Sequence, residues 1–192
     1  MSVAIESLTI GAKVASLVIT CLKESSLKGV AKMEAEMAIL ICKDLVYEEN
    51  PREGLNRALT HLESAIGAYS KTIGTWDIWD KDRALWPQYE IYNKVCVLIA
   101  IVHYALGNID LVKVWLIDRM SYRGPWKIET NTEDFHELGI SNKNSFDETL
   151  YKHLLGNEYS KFQEKVIKPS ATFYEITFSS DNDNNWMYNH GY

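Results

Sequence analysis

Proline is scarce in this sequence: four residues in 192, at positions 51, 87, 125 and 169. Proline disrupts a helix from within but suits its first turn, so these four sites read as boundaries between helical blocks. Cysteine is scarcer still. Cys21, Cys42 and Cys96 are odd in number, scattered, and each set in an apolar helical pattern. That excludes a disulfide framework and reads as reduced core thiols in a cytoplasmic protein. No basic stripe is present and the net charge is -6, with the acidic excess mostly after residue 125. Nucleic acid is therefore not expected as a partner, since binding phosphates requires clustered cations. The longest apolar stretch, Leu8 to Leu22, is interrupted by Lys13. It falls short of the ~20 residues that cross a bilayer, so no membrane span is expected. A basic leader with a small-residue cleavage site is also missing, and no signal peptide is read.

Motifs of chemistry are equally sparse. No glycine-rich nucleotide fingerprint, phosphate loop or serine in a nucleophile turn occurs. Glu133, Asp134, Phe135 and His136 match half of a di-iron carboxylate signature, which needs a second copy and two further glutamates. Asp181, Asp183 and Asn185 alternate like the first ligands of a calcium loop, but Trp186 stands where its glycine belongs. His61 and His103 sit in apolar helical contexts and read as hydrogen-bonded packing residues. No catalytic residue, metal ligand or cofactor is assigned.

What the sequence has is helical periodicity. With 46% apolar and 24% charged residues, the chain can bury a core as one domain with a tail. Val3, Leu8, Ala12, Ala15, Val18, Ile19 and Leu22 predict a helix over 3–23. Ala31, Ala35, Ala38, Ile39, Cys42, Leu45 and Val46 predict a second over 28–48, facing inward. Pro51 opens a third, carrying Leu55, Ala58, Leu59, Leu62, Ala65, Ile66 and Tyr69. The stretch 74–86, GTWDIWDKDRALW, breaks the pattern and predicts an aromatic insert. Pro87 starts a fourth helix through Val95, Ile99 and Val102 to Gly107, a C-terminal cap. Asn108 caps a fifth over 109–121. A polar connection over 126–145 leads to one more helix, 146–168, interrupted at Gly156 and placed at the end of the stack. ATFYEITF after Pro169 alternates like a strand, and residues 169–192 are expected to form an extended or flexible tail.

Two segments repeat at a constant offset. LNRALTHLESAI carries Leu55, Ala58, Leu62 and Ala65; IDLVKVWLIDRM carries Ile109, Val112, Leu116 and Arg119. Ahead of the second, VLIAIVHYALGN places Ile99, Ala100 and Gly107 at a large position, a small crossing position and an inter-helix turn. This pattern resembles degenerate tetratricopeptide repeats, with hairpins over 39–67 and 93–121. Arg119 and Val46 depart from it, each occupying a small-residue position. The offset exceeds the family's repeat of about 34 residues by about 20, where the aromatic insert falls. The resemblance implies an all-α fold of stacked antiparallel hairpins, a right-handed superhelix or short solenoid over residues 1–125.

It also implies a non-catalytic scaffold that binds a protein or peptide in a groove. The groove positions carried over are Leu40, Lys43, Tyr47 and Asn50 from the earlier hairpin, and Lys94, Val97, Ile101 and Tyr104 from the later. For Val97 and Ile101, packing against a neighbouring helix is the equal alternative. Tyr47 and Ile101 stand where a carboxylate clamp has asparagines, which leaves a mixed apolar and aromatic groove. Trp76, Trp79 and Trp86 of the insert, with Trp126, are either a contact surface or a filler between hairpins, and burial is favoured. Phe173, Tyr174 and Phe178 of the tail are candidates to occupy the groove from within. A second copy of the chain is a further candidate partner. Two alternatives stand beside the scaffold. Arg57 and His61 are similar to the arginine–histidine motif of small helical ribonucleases, although three residues separate them where that motif has four to six. The apolar first helix, with Lys13, Lys23 and Lys28, also suits a membrane-associating effector.

Overall fold

The computed structural model describes residues 2–24, 27–76, 86–124, 126 and 146–172. The described chain is all helical, without a strand among those residues, and its helices pack against one another. In chain order they are α1 (Ser2–Glu24), α2 (Gly29–Asp44), α3 (Pro51–Trp76), α4 (Trp86–Ala105), α5 (Ile109–Lys113), α6 (Phe146–Leu155) and α7 (Tyr159–Phe162). A 3-10 turn, Leu45–Tyr47, closes α2. Wider π-type turns extend α5 over Val114–Arg119 and α7 over Gln163–Ile167.

The helix ends follow local chemistry. Pro51 occupies the first turn of α3, where its missing N–H deprives no carbonyl of a partner. Gly107 takes φ of 78°, which a β-carbon would disfavour. That turn lets the Asn108 amide donate back to the His103 carbonyl at 2.9 Å, sealing the end of α4.

Two boundaries differ from the sequence reading. α3 runs on through Gly74 to Trp76, so the insert starts as helix. Ile73 is buried one turn after Tyr69, and that packing outweighs the ~1 kcal/mol that a helical glycine costs. At the other end the backbone stays helical over 168–172, past Pro169, so Ala171 and Thr172 are not strand. The π-type turn just before Pro169 widens the backbone where the proline ring would otherwise meet a carbonyl. Trp79, and the tail from Phe173 on, lie outside the described residues; for Trp76 and Trp86 only the backbone is described.

α4 is the centre. Val95, Cys96, Val97, Leu98, Ile99, Ala100, Ile101 and Val102 are all buried, so over 95–102 no side of this helix meets water. Its unbroken apolar run leaves it no polar face to expose. α1 and α3 pack on α4, and α2 packs on the same two helices. Ala58 and Ala100 are fully buried, as expected of small residues where helices come close. α6 packs on α4 and α5, and α7 on the turn that follows α5. Two hydrogen bonds fasten this C-terminal pair: Tyr151 donates to the Trp126 carbonyl at 2.6 Å, and Ser170 to that of Gly124 at 3.2 Å. Gly124 has no room for a side chain, because a β-carbon there would lie 2.7 Å from the Tyr89 backbone. No described helix is long and apolar enough to cross a membrane.

Candidate interaction surface

α2 carries two apolar stripes. The first, Ala31, Ala35, Ala38 and Cys42, is buried, and its small side chains let α1 and α3 approach closely. The second holds the larger residues and faces outward: Val30 is 63% exposed, Met33 66%, Met37 45% and Leu40 51%. Tyr47, in the turn that follows, is 88% exposed and extends the line. A helix normally points its large apolar residues at the core and its small ones wherever space is short. Here the large ones are left over. Met33, Glu36, Met37, Ile39, Leu40 and Lys43 line a shallow groove of about 430 Å³ on this face.

Charges border the stripe on both sides. Glu36 lies near Lys32 at 3.8 Å, both well exposed, an ion pair too solvated to contribute much. Glu34 bonds His61 of α3 at 2.7 Å, and Glu48 pairs with Arg57. The two residues of the ribonuclease-like motif thus each face a carboxylate from the α2 region. Behind the stripe, burial pushes the Cys42 thiol up to about 12, and the same cause brings Cys96 to about 12. Both are structural thiols with negligible thiolate at neutral pH. His103 is buried, which lowers its pKa despite the opposing hydrogen bond that its Nε2 makes to the Glu63 carboxylate at 3.2 Å. Its ring fastens α4 to α3. Among the described residues no group of three metal-ligating side chains comes together.

The groove positions carried over from the tetratricopeptide resemblance separate into two sets. Leu40, Lys43, Tyr47 and Asn50 are exposed, the first three along the outer side of α2. The later set does not join them. Val97 and Ile101 are core residues, 2% and 1% exposed, because α4 is covered on every side over 95–102. They line no groove. Tyr104 is half-buried under α6, where its hydroxyl bonds His153 Nε2 at 2.9 Å and the rings lie 5.2 Å apart. Lys94 is exposed and paired with Glu90 at 2.9 Å. Val30, Met33 and Met37 were not among the sequence candidates. The alanine stripe was read as inward, but nothing in one sequence says whether another element covers the opposite stripe. Glu133, Asp134, His136, Asp181, Asp183 and Asn185 lie outside the described residues, as do Phe173, Tyr174 and Phe178. Comparison with protein-family models, curated proteins and solved structures finds no significant match.

Proposed function

We propose that this chain is a non-catalytic protein-binding module whose docking surface is the outer stripe of α2. The observation that carries the reading is the inversion of α2, with alanines inward and Val30, Met33, Met37 and Leu40 outward. Single exposed apolar residues are ordinary, whereas a contiguous line bordered by charges is the usual form of a protein contact site. Methionines suit such a site, because their unbranched chains adapt to a partner at small cost. The resemblance of residues 39–67 and 93–121 to tetratricopeptide hairpins supports the same class of function. The paired Arg57 and His61, and the neutral buried thiols, offer no comparable support for catalysis.

A photo-reactive amino acid at position 40, introduced in the native cell, tests this. The expected result is one dominant protein adduct that disappears when Met37→Asp is added. Absence of any protein adduct contradicts the proposal.

A further inference from the structure

The exposed side chains of α2 are not randomly placed. Val30, Met33, Met37 and Leu40, then Asp44 and Tyr47, follow one another at steps of three and four residues. That is the spacing of a two-helix seam. The buried residues Ala31, Ala35, Ala38 and Cys42 lie on the opposite side, so the seam points straight away from the protein. Resting on the reading of this face as a protein-docking surface, we infer that its occupant is α2 of a second copy, packed antiparallel about a twofold axis.

Charge selects this arrangement. Glu36 and Lys43 are exposed, border the same groove, and occupy equivalent flanking positions one heptad apart. When an antiparallel copy sets Met37 against Leu40 of the partner subunit, Glu36 falls beside Lys43 of the partner subunit, and symmetry repeats the pair. Val30 then meets Tyr47, Met33 meets Asp44, and the remaining flank sets Glu34 near Ile41. Sliding the copies by one heptad would set Glu36 against Glu36, which repels. A parallel pairing puts no opposite charges at the centre of the seam. One register is favoured.

The size of the stripe bounds the strength. A buried aliphatic side chain removes on the order of 100 Å² from water, so each half-exposed copy of the stripe contributes a few hundred Å². Both together reach only the low end of stable interfaces, which predicts a weak, reversible dimer.

Sedimentation of the full chain over a concentration series tests the inference by charge reversal. The wild type is expected to dimerise, and Glu36→Lys and Lys43→Glu each to weaken the dimer roughly tenfold, because two attractive pairs become repulsive. The double variant Glu36→Lys with Lys43→Glu is expected to restore it, since the pairs re-form with signs exchanged. Recovery in the double variant cannot come from a foreign partner or from a folding defect. A wild-type chain that stays monomeric to high micromolar concentration overturns self-pairing, as does a dimer indifferent to the single reversals. The position-40 adduct keeps the two levels apart: a foreign protein captured by a monomeric chain sinks self-pairing alone, and no adduct sinks both.

Discussion

Phe162→Ala is expected to destabilise the chain by ~3–5 kcal/mol, the range for removing a large buried aromatic ring. Phe162 is fully buried where α7 meets α6, stacked on Tyr151 with centroids 4.5 Å apart and tilted against Tyr159 at 6.2 Å. The cavity left behind cannot collapse easily. Tyr151 is held by its hydrogen bond to the Trp126 carbonyl, and α7 by that from Ser170 to Gly124. Because these contacts attach the C-terminal pair to the rest, the loss should appear as one cooperative transition shifted to lower denaturant. A Phe162→Leu variant, which refills part of the volume, should recover more than half of the loss. Chemical denaturation followed by far-UV circular dichroism measures both. An Ala variant as stable as the wild type would mean that α6 and α7 are not packed as described.

Ile101→Asn is expected to cost ~4 kcal/mol or more. About half is the burial lost with the aliphatic side chain, and the remainder is an amide enclosed without partners. Ile101 is 1% exposed within the buried stretch 95–102 of α4, so the new amide has no route to water. As a groove residue, which the tetratricopeptide resemblance allowed, the same substitution would change stability by less than ~0.5 kcal/mol. Lys94→Ala, on the exposed part of the same helix, serves as the control and should be nearly neutral. Denaturation midpoints of the two variants separate the interpretations without knowledge of any partner.

The contrast between those two positions shows what the sequence could convey. Helix identity and most boundaries were legible, because they depend on local chemistry: proline at the start of α3, Gly107 after α4, alanines spaced along α2; Asn108, read as the cap of α5, precedes that helix but makes no side-chain capping hydrogen bond. The inward face of α2 was legible for the same reason. What was not legible depends on neighbours. Val97 and Ile101 read as either core or groove until α1, α3 and α6 were seen to enclose α4. The extension of α3 past Gly74 needed the packing of Ile73, and the helix through Pro169 needed a preceding π-type turn that no residue type announces. The exposed stripe of α2 was half legible. Leu40 and Tyr47 were named through a family pattern, whereas Met33 and Met37 became candidates only once the side of α2 opposite its alanines was seen to be exposed.

Everything proposed for function depends on the outer stripe of α2 contributing nothing to the chain's own fold. Equilibrium unfolding of the double variant Met37→Asp with Leu40→Asp, at a concentration where the chain is monomeric, tests that directly. Both side chains being surface groups, the unfolding free energy should fall by only ~1 kcal/mol, the helix-propensity cost of two aspartates. A loss of several kcal/mol, the size seen at core positions, would show that the stripe is covered from within and leaves no surface for a partner.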